Sequence, residues 1–376
     1  MRMVKVGWGA SWCGAGLLGL VLGGCGGPTE TIQFGVIAPQ TGEGAAYGKE
    51  MILGAQLAAE TINSEGGAGG RKQIELRIED SRSDPARAAQ LMEQMGQDEK
   101  IIAVIGGVTS GEAVAMAPKA EATKTVLISP TASTPTLSEF GEYVWRNYPS
   151  DGQFISTLAF YCRFSLRVKK VAVVAARNEY ADGVREVFER KFTAAGETEM
   201  KEFLYNEGEL NAGAIIGEVK AYRPDAVLLV AYVDDQVTLL RVIQEQELKA
   251  QILASETFTV EGAHEAGPAA EGVITPQPPF DVADTNPRVK SFVTRFQEKF
   301  RHLPTVDSAQ GYDAVRILAS ALAPIGKIKH TLKDNMKGVQ DFQGVAGETS
   351  FDVNGDVVKD PWLYRVENGE LIRIPS

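Results

Sequence analysis

The chain has 376 residues, long for one domain and suited to two, and its 44% of apolar residues can supply a core to each. Its formal net charge of −11 argues against nucleic acid as a partner and against a standing grip on anionic membrane. The three cysteines include no C-x-x-C pair, so zinc, iron–sulfur and dithiol chemistry have no support.

Residues 1–24 read as an export signal rather than fold. Arg2 and Lys5 make a positive start, Leu17 to Leu22 the apolar part, and small residues precede Cys25. Leu22-Gly23-Gly24-Cys25 resembles the bacterial lipobox, which implies cleavage before Cys25 and a lipid on its sulfur; the alternatives are an ordinary signal peptide with a chance cysteine or an uncleaved anchor. The apolar part is too short and glycine-rich to span a bilayer well, and the mature body is expected to be soluble. Residues 25–31 then form a tether. Cys162 is left alone, expected as a buried small hydrophobe with no disulfide partner.

From Ile32 the chain alternates strand and helix. Strands are expected at 32–38, 73–79, 101–105 and 126–128, and helices from about Lys49 to Asn63 and after Asp84-Pro85, where Asp caps and Pro opens the first turn. A short strand at Tyr143–Pro149 leads to a crossover near 149–152, after which the rhythm restarts. Helix 153–166, strand 170–175, a helix with a Val184, Val187, Phe188, Phe192 stripe, strands 199–204 and 226–230, helix 236–247 and strand 251–254 follow. Residues 273–279 read as a second crossover, 287–302 and 308–323 as helices, and the tail as short strands joined by Asn354-Gly355-Asp356 and Asn368-Gly369 turns. Asp352, Asn354 and Asp356 mimic a calcium loop without its glycine and glutamate spacing, so a hairpin turn is expected and no metal site. The fold class is α/β, with parallel-type sheets flanked by helices.

The segment 101–133 carries the first functional suggestion. Its two loops lie beyond the carboxyl ends of two strands, where open α/β sheets bind ligands. Thr109-Ser110 can cap a helix starting near Gly111, and its free N–H groups suit an anion. Ser129-Pro130-Thr131-Ala132-Ser133 adds carbonyls and hydroxyls at the same edge. Other strand ends carry Tyr180, Tyr232 and Glu256, with Tyr47 a longer loop beyond the first strand.

These residues, together with Ile32–Ala38, Thr41-Gly42, Tyr47-Gly48, Ile62-Asn63, Asp84-Pro85, Val104-Ile105-Gly106, Ile128-Ser129-Pro130, Trp145-Arg146-Asn147, Tyr312-Asp313-Ala314 and Phe351-Asp352, give the chain a resemblance over essentially its whole mature length. It resembles the bacterial branched-chain (Leu/Ile/Val) amino-acid binding proteins, the type I periplasmic binding proteins of ABC transporters. The resemblance implies two similar lobes joined by a multi-strand hinge: residues 31–150 with 279–356, and 151–278 with 357–376. It implies that Ser110 holds the ligand α-carboxylate, and that Ser133 touches carboxylate and ammonium. Thr131, with Ala132 beside it, offers its backbone carbonyl to the ammonium. Glu256 pairs with the ammonium, Tyr180 and Tyr232 close over the ligand, and Tyr47 lines the side-chain pocket. The small first-lobe disulfide of many relatives is missing, its places taken by Ser83 and Thr109, and a polar Asp307 is expected near the pocket.

The implied function is that of a monomeric lipoprotein on the extracytoplasmic face, anchored through Cys25. It would capture an amino acid between its lobes and deliver it to an ABC permease without any cofactor. The alternatives are a same-fold sensor for a receptor, and a binder of an amide, urea or aromatic acid. An enzyme is disfavoured: no G-x-S-x-G, P-loop or H-E-x-x-H occurs, and His264, His302 and His330 lie in polar stretches late in the chain.

Overall fold

A computed structural model describes residues 30–69, 71–194, 196, 198–322 and 328–375. The export segment, with Cys25, lies outside the described residues. Two separate sheets organise the chain. The first has strand order β2-β1-β3-β4-β5, all parallel, from β1 (Thr31–Ala38), β2 (Gln73–Asp80), β3 (Ile101–Gly106), β4 (Val126–Ser129) and β5 (Val144–Arg146). Helices α1 (Ala45–Ser64), α2 (Pro85–Gln97) and α3 (Ser110–Thr123) connect its strands.

The second sheet follows α4 (Asp151–Phe160). Its strands are β6 (Lys170–Arg177), β7 (Glu199–Asn206), β8 (Ala226–Val230), β9 (Gln251–Ala254) and β10 (Ile274–Gln277). Helices α5 (Glu179–Thr193), α6 (Ala212–Tyr222), α7 (Val233–Glu245) and α8 (Val260–Ala266) join them. After α9 (Pro287–Phe300), α10 (Val306–Ser320) and α11 (Ile328–Met336) comes a two-stranded pair, β11 (Phe342–Gln343) and β12 (Glu348–Thr349). The tail hairpin, β13 (Trp362–Glu367) and β14 (Glu370–Arg373), adds to the second sheet antiparallel to β10, giving the order β14-β13-β10-β9-β8-β6-β7. Within the 273–279 segment, expected as a crossover, Ile274–Gln277 is a buried strand; its Pro276 lies past the last pairing with β9, at Ile274, and opposite Leu363 of β13.

Both faces of the central strands of each sheet are buried, as parallel pairing requires. In β6, Ala172, Val174 and Ala176 face one core cluster, and Val171, Val173 and Ala175 the other. In β1, Phe34 and Val36 face a cluster that includes Phe292 and Phe296 of α9 and Leu318 of α10, while Ile37 faces the opposite side with Met92 and Met116. Residues of α9–α11 therefore pack with the first sheet although they follow the second in sequence. Cys162 is fully buried in a π-helical turn after α4, and burial pushes its thiol up to about 12. Among the described residues no helix is long and apolar enough to cross a membrane.

The passages between the sheets are held by buried polar groups. Arg146, at the end of β5, is 1% exposed; it donates to Asp356 Oδ1 at 2.6 Å, to Ser138 Oγ at 2.6 Å and to the Thr134 carbonyl at 2.7 Å. The Asp352–Asp356 turn is a self-bonded loop, in which Asp352 accepts from the Asn354 and Asp356 amides. Only an isolated Phe351–Val357 bridge flanks it, not a full strand pair. Asn147 donates to Gln310 on α10, and Lys359 donates to the Asn147 and Ala346 carbonyls.

Replacing Arg146 by Met removes the cation of a largely buried ion pair and leaves Asp356 with the Ser138 hydroxyl as its remaining side-chain donor. We expect a loss of about 3–5 kcal/mol in stability, read from the urea-denaturation midpoint at constant slope.

Candidate functional site

The strand ends of the two sheets face each other across a closed cleft. Helix α3 begins at Ser110, but its cap is Thr109. Thr109 Oγ1 accepts from the Glu112 amide at 3.4 Å, and the Glu112 carboxylate accepts from the Thr109 amide at 3.2 Å, a reciprocal capping box. The Ser110 hydroxyl is therefore released from capping. It is buried, has no hydrogen-bond partner, and lines the interlobe cavity at a helix N-terminus.

Thr131 also lines the cavity, but its hydroxyl is committed to the Val108 carbonyl at 2.7 Å, tying the loops after β3 and β4 together. What remains to it is its backbone carbonyl. Ala132, expected beside it, stands outside the cavity wall: its side chain packs in the core with Met116 and Leu137, and its amide donates to Ser129 Oγ. A methyl flanked by an apolar core has nothing to turn toward the cleft. Ser133 crosses to the other lobe, donating to Glu256 Oε1 at 3.2 Å.

Tyr47 lies in the first turn of α1, which begins at Ala45 rather than near Lys49. Its hydroxyl donates to the Thr257 carbonyl at 3.3 Å and accepts from the Val233 amide at 3.0 Å, both across the cleft. Its ring neighbours Tyr232 at 5.9 Å, and Tyr232 stacks on Tyr180 at 5.6 Å with 15° between the planes. Tyr180, Tyr232 and Thr109 line both the inner cavity and an outer cleft bounded by Glu43, Arg177 and Glu207, so they partition the two.

Glu256 follows β9 and is 4% exposed, with Oε2 unpartnered. Burial, more than any neighbour, raises its carboxyl from the ordinary 4.5 to about 7. Asp307, on the first turn of α10, lines the same cavity, and burial raises it to about 7 as well. Asp151, fully buried at the start of α4, has both carboxylate oxygens unpartnered; burial first and the nearby Glu256 second push it well above the carboxylate range. Two acids thus line the cavity, with Asp151 buried behind them, and the cavity wall contains no Lys, Arg or His. The space is small, about 40 Å³ for the centres of water-sized groups, room for a few such groups in this closed form.

Sequence reasoning missed Asp151, Tyr148, Thr257 and the two glutamines that hold the second-lobe loops. Gln236 donates to the Ala231 carbonyl and Thr257 Oγ1, and Gln277 to the Glu256 and Phe258 carbonyls. A polar residue inside an otherwise apolar strand or helix face was the only available sign. Ser83, at a position expected to be vacated by a disulfide, accepts from the Gly44 amide instead. Among the described residues no cluster of His, Cys, Asp and Glu could hold a metal ion.

The periplasmic binding protein family profile matches residues 31–370. The chain belongs to this family. It is 25% identical over 347 residues to the Leu/Ile/Val-binding protein homolog 3 of Brucella melitensis, covering 91% of this chain and 93% of that one. The leucine-binding protein LivK of Thermotoga maritima superposes with a TM-score of 0.84 at 26% identity, over 92% of this chain and 98% of that one. The branched-chain amino acid transporter substrate-binding protein LivJ of Streptococcus pneumoniae, solved in complex with isoleucine, gives 0.84 and 26% over 92% and 99%. The two-lobed α/β architecture is that of these type I binding proteins, and the chain is a binding protein, not an enzyme. Membership implies an extracytoplasmic location.

The raised acids fix a pH dependence. A carboxyl that ionises near 7 when folded and near 4.5 when unfolded keeps its proton longer in the fold, so its contribution to stability is complete below about 4.5 and fades as pH rises to 7. Asp80 and Glu142, whose values are lowered, titrate below this window. The ligand-free protein should melt at lower temperature at pH 7.5 than at pH 5, and Glu256→Gln should flatten the slope; calorimetric scans showing a flat or rising profile would contradict the buried-acid description.

Proposed function

We propose that the protein captures an α-amino acid between its lobes and delivers it to an ABC importer, as an extracytoplasmic lipoprotein anchored through Cys25 after removal of residues 1–24. The observation that carries this reading is the pairing, in one closed cavity, of the free Ser110 hydroxyl at a helix N-terminus with the unpartnered Glu256 oxygen. A zwitterion satisfies both at once. Its carboxylate takes the Ser110 hydroxyl and the first amides of α3. Its ammonium takes Glu256, the Ser133 hydroxyl as acceptor and the Thr131 carbonyl, while Tyr47, Tyr180 and Tyr232 cover the remainder. An aromatic acid or a urea would leave Glu256 without a cation. In this reading lobe 1 comprises 31–150 with 279–356, and lobe 2 comprises 151–278 with 357–376.

Isothermal titration calorimetry of the purified protein against the common amino acids tests the head-group assignment. Glu256→Gln should weaken binding by about 2–5 kcal/mol, because it strands a buried ammonium. Ser110→Ala should cost about 1.5–3 kcal/mol, the worth of a hydrogen bond to a charged group. A panel in which no amino acid gives heat, or a Glu256→Gln variant with undiminished affinity, would sink the assignment.

A further inference from the structure

The head group of an amino acid accounts for Ser110 and Glu256. It does not account for Asp307. This residue is 7% exposed and forms part of the cavity wall beside Val306, Tyr47 and Thr259. Helix α10 does not need it as a cap. Thr305 Oγ1 accepts from the Ser308 amide at 3.3 Å and Ser308 Oγ accepts from the Thr305 amide at 3.0 Å, so a capping box already serves that end.

Among the described residues no cation pairs with Asp307. The charged groups that bear on it are acids, Glu50 on α1 and Glu261 on α8, and both push its carboxyl further up. His302 leans on Glu50 instead, at 3.6 Å. Neither nearby hydroxyl bonds to Asp307: Tyr47 donates to the Thr257 carbonyl and accepts from the Val233 amide, and Thr259 Oγ1 accepts from the Gly262 amide.

We propose that the ligand's side chain carries a terminal hydrogen-bond donor, an amine above all, that meets Asp307. This deepens the amino-acid reading given above and rests on it. A leucine-like side chain would press a buried carboxyl that has no side-chain donor against methyl groups, which a buried polar group resists. A diamino acid brings one cation for Glu256 and a second for Asp307, and so matches the acid excess of the cavity wall. The narrow closed space favours a short side chain.

Isosteric pairs isolate the effect. Norvaline and 2,4-diaminobutyrate differ only in a terminal methyl or ammonium, as do norleucine and ornithine. In calorimetric titrations of the purified protein at pH 8, the diamino member of at least one pair should bind about tenfold or more tighter, since a site built around a polar group discriminates strongly against an analogue lacking its partner. Asp307→Asn should erase most of that preference while its thermal melt stays cooperative and norvaline or norleucine binding is kept. Two results overturn the inference alone: α-amino acids bind but the methyl member of both pairs binds as well or better, or Asp307→Asn leaves the ratio unchanged. If neither pair nor any common amino acid binds, the head-group reading falls, and this one with it.

Discussion

An acid buried without a cation is the constraint on which the rest of the molecule turns. Moving an ionised carboxylate into a dry cleft is expensive, so such a group either keeps its proton or acquires a partner. Glu256 stands between the two, with its carboxyl raised to about 7 and one oxygen unanswered. Asp307 and Asp151 share its situation. The surrounding elements hold these groups in place rather than satisfy them.

They do so by serving the backbone with other residues. Thr109 caps α3 and Thr305 caps α10, which leaves Ser110 and Asp307, one and two positions further on, free for the cavity. The position of α10 depends on close packing against α1. A Cβ on Gly54 would lie 1.8 Å from the Ser308 carbonyl oxygen, and one on Gly311 would lie 2.2 Å from that of Met51. The two helices therefore meet backbone to backbone, and Asp307 is carried to the cavity by glycines that never touch it. On the opposite lobe, Gln277 and Gln236 fix the loops of Glu256 and Tyr232 through main-chain carbonyls.

The sheets were legible because a strand buried on both faces is a plain apolar run, as in Ile101–Ile105 and Ala226–Val230, and because glycine and Asp-Pro mark its limits. The strand at Ile274–Gln277 was not, since Pro276 and the Pro278-Pro279 that follow it read as a linker; pairing with β9 and β13 overrides that local preference. At the site, residue type and strand-end position located Tyr47, Ser110, Thr131, Ser133, Tyr180, Tyr232 and Glu256 on one cavity wall. Which of their hydroxyls remain free could not be read in advance. Thr131 and Tyr47 are committed and Ser110 is not, and that outcome depends on capping partners and on contacts across some two hundred residues of sequence. Asp151 was hidden for the same reason: an acid after Ser150 at a helix start looks like an ordinary first-turn residue.

In the proposed reading the groups that recognise a ligand also govern closure. Tyr47 and Ser133 already bridge the lobes, so the closed form has contacts of its own and does not wait for a ligand to create them. What opposes closure is the burial of acids with nothing to neutralise them. Turning a mostly open population into a mostly closed one takes about 5.5 kcal/mol of differential affinity. A hydrogen bond to a charged group contributes about 1.5–3 kcal/mol. In the proposed reading two or three such contacts, at Ser110, Glu256 and Asp307, reach that figure together, whereas a ligand that meets only Ser110 falls short. Specificity then needs no separate gate: a molecule that leaves the acids unanswered can enter the cleft, but it has too little free energy to hold the lobes shut.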